Sequence, residues 1–554
     1  MTKMDNLSRR SFIRTSLAAG GGLVLGFHVP RAKGAQIAAM PSTTPTDGIE
    51  INAWLTIDKD GTVTIRVPHT EMGQGGLTSV AMLIAEELNV PWDKIQAVFA
   101  DPNRHLRNNK EYKVMSTHGS QLVKTQHPHL MQAGASARER LKEAAAQAWG
   151  VDRSTIEAKL GVLKSGNRTG TYAEFASAAA KVTLAAEPAI KTPAEWWLLG
   201  KPTQRFDIPV KVNGSAQFAI DTRIPGMVYA AVKACPVPWG ALKSYDFNAI
   251  KNRPGIIGAV ELKAVPGKRG QPDLQNAVAV VADTWYRAKT ALDLMPIVWD
   301  EGEAGKTSTA GYFAEGRRKL EEAGTVSKDD PKALEVIAAS KKLVTAQYER
   351  PFETHARMEP INATVHVQKD RVDVWSPTQD QSVAILLVAD QLGRDPKDVY
   401  AHTMFLGGGF GGNGAGGTGV TRQAAEISKQ VGRPVKVLWT REEDFAQDKQ
   451  RPLSVARLSA ALGSNGLPDA LVSRVAWFTQ DAGNNVGAAM ADYGISNMPY
   501  KIPNRHHDRH NCATHIPHST HRAPGANQMG FMMESFVDEM AIAGGWNPLD
   551  WRIE

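Results

Sequence analysis

Cysteine is almost missing from this chain: Cys235 and Cys512 are the only two among 554 residues. That excludes a disulfide framework and leaves room for one bridge at most. An iron–sulfur cluster usually takes four thiolates, so any such cluster must sit on another polypeptide. Long apolar runs are missing too. The one mild candidate, Leu17 to Val29, is broken by Gly20, Gly21, Gly22 and Gly26, and is shorter than the roughly 20 residues a bilayer span needs. Neither a Gly-x-Ser-x-Gly elbow nor a His-Glu-x-x-His pair occurs, so the common hydrolase routes lack support. The excess of positive charge is thin as well. The net charge is +7, but residues 1–35 hold Lys3, Arg9, Arg10, Arg14, Arg31 and Lys33 against Asp5 alone, which leaves the remainder nearly neutral. No basic face with interleaved aromatics occurs elsewhere, and nucleic acid is not an expected partner.

What is present begins with an address. Ser8-Arg-Arg-Ser-Phe-Ile-Arg14, followed by a mildly hydrophobic segment and small residues at Ala32 to Ala35, reads as a twin-arginine export signal over residues 1–35. A periplasmic location is expected, reached in the folded state. Residues 36–50 read as a linker. Trp54 to Val67 alternates around Asp60-Gly61 and predicts a hairpin. Leu77 to Leu88 and Met131 to Trp149 predict helices. Val210 to Asp300 predicts a separate α/β unit, and 301–335 a charged surface helix with loops. From Leu343 onward strands dominate. Helices are predicted over Val383 to Leu392, Arg422 to Val431 and Met529 to Ile542, and a strand over Val399 to Leu406.

Three short motifs carry the chemistry. Phe405-Leu-Gly-Gly-Gly-Phe-Gly-Gly412 follows a predicted strand, and glycines there let backbone N–H groups converge on an anion or a heteroatom-rich ring. The spacing fits neither a dinucleotide fingerprint nor a Walker loop; a plain glycine-rich turn is the ordinary alternative. Glu71-Met-Gly-Gln-Gly75 lies between a strand and a helix start, and the Gln74 amide can donate and accept at once. It reads equally as a polar turn capping the helix. Arg522, in His521-Arg-Ala-Pro-Gly525, sits on a turn stiffened by Pro524, which suits a fixed cation facing a developing oxyanion. Most arginines instead make surface ion pairs. Six histidines between His506 and His521 invite zinc, yet their spacing matches no closed site, and polar loop residues are the better reading. His355, Arg357, Glu359 and Gln379 fall near predicted strand ends; Glu359 serves as readily for a buried structural carboxylate as for a base.

Taken together, Phe405 to Gly412, Glu71 to Gly75 and His521 to Gly525 resemble the large subunit of the molybdenum hydroxylases, the xanthine oxidase family, from about residue 48 onward. The resemblance implies an α+β fold with a hammerhead α/β domain over 201–300. Molybdopterin-binding segments would lie at 51–200 (the family's second half, placed first) and 343–554 (its first half), with 301–342 connecting. It implies cofactor contacts from Gly73, Gln74 and Gly75, from Ser116, Gly119 and Ser120, and from Gly408, Gly409, Phe410, Gly411 and Gly412. Gln379 would face the metal's apical oxo, and Arg522 would be the active-site arginine. No side chain would ligate the metal, which the pterin dithiolene holds.

The order of the loops resembles the exported bacterial branch that includes isoquinoline 1-oxidoreductase and aldehyde and nicotinate dehydrogenases. Those enzymes use molybdopterin cytosine dinucleotide, pair with a small subunit carrying two [2Fe–2S] clusters, and often pass electrons to cytochrome c. The implied reaction is hydroxylation of an aldehyde or an N-heterocyclic carbon with water as oxygen source. Gly414 stands where the purine enzymes carry a substrate-facing glutamate, so xanthine is not expected. The family's catalytic glutamate lies in a Gly-x-Gly-Glu segment not found before Glu554, so the large subunit is expected to be C-terminally incomplete here. An inactive cofactor-binding chain acting as an assembly partner is the alternative. The whole reading requires Gln74, Gln379, Phe410 and Arg522 to meet at one place.

Overall fold

The computed structural model describes residues 48–266, 272–414, 419–480 and 493–554. The expected export signal (1–35) and most of the expected linker lie outside the described residues. The chain enters through a four-stranded sheet in the order Ile49–Asn52, Leu55–Ile57, Val63–Val67, Ile95–Phe99. The expected hairpin is there: Leu55–Ile57 pairs antiparallel with Val63–Val67, and Gly61 takes the left-handed φ of 82° at the turn. Ile95–Phe99 runs parallel to Val63–Val67, so a crossover is required. Helix Gly76–Leu88 supplies it, with Val80, Ala81, Ile84 and Leu88 fully buried. Helix His127–Trp149 packs across it. Pro128 in its first turn lets it start before the predicted Met131, since that turn's N–H groups lack intrahelical partners anyway. Gly134 sits at the crossing because a Cβ there would overlap the Ile84 carbonyl.

The second layer is a seven-stranded sheet in the order Ile256–Leu262, Ala277–Ala282, Val228–Ala234, Val435–Leu438, Asn362–Val367, Val372–Ser376, Val399–Thr403. This corrects one expectation. Val210 to Asp300 is not a separate α/β unit, because three of its strands continue the sheet of the later segment through the parallel pair Val228–Ala234 and Val435–Leu438. Its Ala277–Ala282 run is buried at every position, as a strand covered on both faces should be, and periodicity alone does not name its neighbours. The sheet's edge strand Val399–Thr403 is blunted from the first layer. Asn103 donates from Nδ2 to Val399 O and accepts the Ala401 N–H (3.1 Å), filling edge positions that would otherwise invite another strand.

The third layer is a five-stranded sheet: Thr325–Lys328, Asn504–Ala513, Pro468–Thr479, Ser454–Leu462, Leu343–Arg350. The stretch 301–335, expected as a charged surface helix with loops, holds helix Thr309–Lys319 and also contributes this edge strand. Helix Ala526–Gly544 covers this sheet, with Met529, Met532, Met533, Phe536, Val537 and Met540 all fully buried at helical spacing. Each such side chain contributes about 1.5–3 kcal/mol of burial.

Candidate functional site

Strand Val63–Val67 ends at Pro68, and the chain turns through Thr70 to Gly76 before the helix. Glu71 shapes that turn. Its carboxylate is wholly buried and accepts N–H groups from Gly73 (2.8 Å), Gly75 (3.1 Å) and Leu77 (3.1 Å). An anion placed against helix-starting amides is favourable. Gln74 is exposed and ties its own loop with one N–H and one lone pair of its amide. Its Oε1 accepts from Met72 N (2.8 Å) and its Nε2 donates to Thr70 O (2.8 Å), so the side chain closes its own loop, as the capping alternative described.

Strand Val372–Ser376 delivers Thr378 and Gln379. Gln379 is buried, and its orientation is fixed by its partners. Oε1 accepts two backbone N–H groups, from Gly411 (3.0 Å) and Asn413 (3.3 Å), and Nε2 donates to Thr117 O (2.7 Å). An amide oxygen offers two lone pairs and an amide nitrogen two hydrogens. Gln379 therefore has its acceptor capacity filled and one N–H left for a ligand. The backbones cross at the same point: Gln379 N donates to Asn413 O and Thr117 N donates to Gln379 O, each at 2.7 Å. Thr117 Oγ1 accepts from Thr70 N (3.0 Å), and Thr70 Oγ1 donates to Thr378 O (3.0 Å). Four distant segments thus meet at one place.

Strand Val399–Thr403 leads into the glycine loop. Gly407 N is taken by Glu359 Oε2 (2.8 Å) and Gly412 N by Gly409 O (2.8 Å). Among the described residues, the N–H groups of Gly408, Gly409 and Phe410 have no protein acceptor. Gly408 (φ 107°), Phe410 (54°) and Gly411 (104°) all lie at positive φ, a succession that turns consecutive amides toward a common anion. The glycines are required by close approach. A Cβ on Gly409 would lie 2.5 Å from Gln379 Oε1 and 3.0 Å from Met72 Sδ; one on Gly411 would overlap the Thr520 carbonyl oxygen.

Thr520 belongs to the arginine loop. Arg522 N donates to Phe410 O (2.7 Å). Buried Arg451 clamps the loop from below, donating to Arg522 O (2.9 Å) and Ala523 O (3.4 Å). The Arg522 guanidinium is exposed and pairs with no carboxylate among the described residues. Its neighbour His521 stacks on His355 with ring centroids 4.4 Å apart. Burial, aided by His355 and Arg451, pushes His521 down to about 3, so its ring stays neutral. Arg522 is then the uncommitted cation of the loop. Below it, Arg357 pairs with Asp444 (2.5 Å) and Asp448 (3.4 Å), and His355 with Asp448 (2.9 Å). Burial holds Asp444 above the ordinary carboxylate range, whereas in Asp448 the same burial is outweighed by His355 and Arg357.

The structure brings Gln379, Gly408, Gly409, Phe410, Gly411, Gly412 and Arg522 together, with Gly73, Gln74 and Gly75 beside them through Met72. It treats the serine loop differently. Ser116 is half-buried, and Gly119 and Ser120 are exposed at the start of the short helix Gln121–Lys124; the crossing is made by Thr117, which lies between them. Glu359 takes the structural role, accepting from Gly407 N, Ile220 N (2.9 Å) and Asn362 Nδ2 (3.0 Å). The histidines disperse: His506, His507 and His510 lie on strand Asn504–Ala513, His515 meets Tyr312 and His518 meets Thr479. Sequence reasoning missed Thr117, Asn413 and the carboxylate of Glu71. Only Glu71 offered a signal, as an acidic residue just ahead of a helix start.

Two matches to a molybdopterin cofactor-binding domain cover residues 20–211 and 315–554. Over 99% of its length the chain is 26% identical to the beta subunit of isoquinoline 1-oxidoreductase from Brevundimonas diminuta. It is 27% identical over 89% to a membrane-bound aldehyde dehydrogenase (pyrroloquinoline-quinone) of Gluconacetobacter polyoxogenes, and 24% over 91% to a nicotinate dehydrogenase subunit from Pseudomonas putida. It spans 75%, 63% and 42% of those relatives respectively. Among solved structures, quinoline 2-oxidoreductase of Pseudomonas putida 86 matches at 20% identity and a TM-score of 0.49, over 62% of this chain and 48% of that one. With both molybdopterin-binding matches falling on the segments that meet at Gln379, the chain belongs to the large subunits of the molybdenum hydroxylase family.

Proposed function

We propose that this chain holds a molybdenum–pterin between the glycine loop and Gln379 and serves in the hydroxylation of an aldehyde or an N-heterocyclic carbon. Bound there, the group supplies the two-electron oxidising centre, with water as the source of oxygen. The single observation that carries the reading is the run of N–H groups at Gly408, Gly409 and Phe410 that find no acceptor among the described residues, set against the remaining Gln379 N–H. A site with donors only, and with its acceptors consumed internally, is built for an electron-rich ligand.

The chain's own residues then have definite tasks. Gln379 orients the ligand through one N–H, since its oxygen is already saturated. The loop amides offset anionic charge without moving, because Gln379, Glu359 and the Arg522 N–H fix the backbone around them. Arg522 holds a full positive charge on a loop clamped at Phe410 and Arg451, placed to stabilise negative charge that develops on a substrate oxygen. The neutral ring of His521 adds no second, repelling cation beside it.

The cytosine dinucleotide form of the cofactor, a [2Fe–2S] partner subunit, cytochrome c as a further acceptor and twin-arginine export belong to the same proposal. They rest on the resemblance and on Ser8 to Arg14. Full chain co-produced with its iron–sulfur partner should oxidise benzaldehyde or isoquinoline with an artificial dye. Molybdenum bound without turnover of either substrate would favour an assembly role instead. Replacing Arg9 and Arg10 by lysine should leave the protein in the cytoplasm, and unchanged export would remove the signal from the account.

A further inference from the structure

Residues 205–221 touch both glycine-bearing loops. At one end, Arg205 Nη2 lies 3.4 Å and Lys211 Nζ 3.7 Å from Glu71 Oε1, and Arg205 Nη1 donates to Gly73 O (3.2 Å). Both cations also pair with the wholly buried Asp207, at 2.6 and 2.7 Å. At the other end, Ile220 N donates to Glu359 Oε1 (2.9 Å), whose second oxygen holds Gly407 N. Lys436 Nζ secures the same peptide by donating to Ile220 O (2.5 Å). Between the two ends, Lys211 lies over the Phe405 ring at 5.2 Å, and Phe218 makes a parallel bridge to Phe405 with ring centroids 5.9 Å apart. Phe405 opens the glycine loop, and the next residue, Leu406, donates to Glu71 O (3.0 Å).

Each buried glutamate therefore divides its acceptor capacity. Glu71 gives part to its own loop and part to Arg205 and Lys211; Glu359 gives one oxygen to the glycine loop and the other to Ile220 and Asn362. A buried carboxylate that loses one partner keeps the cost of its desolvation, so neither end can let go alone without penalty.

We propose that residues 205–221 form a clasp that fixes the Met72–Gly75 loop against the Gly407–Gly412 loop, so that the two open as one unit. Arg205, Lys211, Ile220, Glu71 and Glu359 are its positioning residues; none is assigned contact with substrate. The proposal rests on reading both loops as walls of one site, but its test needs no bound group.

Native-state hydrogen exchange on the metal-free full chain, across a denaturant series, measures the opening of each loop. A clasp predicts that the hydrogen-bonded amides of Met72, Gly73, Gly75 and Leu77 and those of Leu406, Gly407, Gly411 and Gly412 open with the same free energy and the same denaturant slope. Two different slopes would overturn it. Should both loops exchange only with the whole chain, the variants decide. Arg205→Gln should speed exchange at the distant bonded amides of Leu406, Gly407, Gly411 and Gly412 about tenfold, and Glu359→Gln should do the same at those of Met72, Gly73, Gly75 and Leu77. Acceleration confined to the mutated loop overturns the clasp. If Arg205→Gln does not fold, Lys211→Met, which keeps the Arg205–Asp207 pair, takes its place with the same expected outcome. Joint opening in a chain that never acquires molybdenum would leave the clasp standing and remove the cofactor reading alone.

Discussion

The two glycine-bearing loops of the site look alike in sequence and differ in how their hydrogen bonds are distributed. In the loop from Glu71 to Gly76, the N–H groups of Met72, Gly73 and Gly75 are consumed, by Gln74 and by Glu71, and those without an acceptor among the described residues, on Glu71, Gln74 and Gly76, each stand alone between tied neighbours. In the loop from Gly407 to Gly412, the donors of Gly407, Gly411 and Gly412 are consumed, and three in succession, those of Gly408, Gly409 and Phe410, find no acceptor among the described residues. The first loop is tied along its length. The second is rigid at its ends and unsatisfied in its middle, which is what a binding surface requires. The lesson is that a glycine motif indicates a function only once its donors are accounted for.

The strongest way to break this contrast is to add one methyl group to each loop. Gly411→Ala should destabilise the chain by about 4 kcal/mol, because its Cβ meets the Thr520 carbonyl at a positive φ. Gly73→Ala has open space around it and should cost about 1 kcal/mol, from its φ of 108° alone. Equal losses in chemical denaturation would erase the difference between the loops.

Arg522→Ala sharpens the contrast from the side of function. The guanidinium makes no ion pair among the described residues, so stability should change by less than about 0.5 kcal/mol. Turnover should fall about a hundredfold or more, with molybdenum retention largely kept. Wild-type turnover in a metal-loaded Arg522→Ala enzyme would refute the role.

A smaller effect concerns the sheet beneath the site. Glu443 accepts the Ala234 N–H at 2.7 Å, and burial pushes its carboxyl up to about 7, against a lowering by Lys233. A raised pKa means the folded state prefers the protonated form. The associated stability is complete below about pH 4.5 and is lost as pH rises through 7. Between pH 5 and 8 the wild type should lose about 2 kcal/mol relative to Glu443→Gln. Parallel pH profiles of Tm for the two proteins would contradict this.

Much of the frame is legible in the residues alone. The hairpin at Asp60-Gly61, the helices ending at Leu88 and Gly393, and the buried run Ala277–Ala282 follow from period, turn chemistry and caps. Gln379, Phe410 and Arg522 are legible through resemblance, and they do converge. Two kinds of feature are not. Strand partners chosen across long separations, such as Val228–Ala234 beside Val435–Leu438, leave no local trace, so the sequence over 210–300 reads as an independent unit when it is not. Side-chain direction is equally silent. Gln74 could have faced a ligand, and nothing in its neighbours shows that Met72 N and Thr70 O would claim its amide instead. Thr117 acts mainly through its backbone, which any residue type could supply.

The contrast between Gln74 and Gln379 gives the most direct test of the central claim, that the ligand sits against the glycine loop and Gln379 rather than against Gln74. Molybdenum and pterin content should be measured per chain in full-length wild type, Gln379→Ala and Gln74→Ala, all produced in a molybdate-replete host able to insert the cofactor, with folding verified by circular dichroism. The account predicts about one of each per chain in the wild type, a drop of at least about tenfold in Gln379→Ala, and retention of more than about half in Gln74→Ala. A wild type without molybdenum, or a folded Gln379→Ala that keeps its full complement, would contradict it.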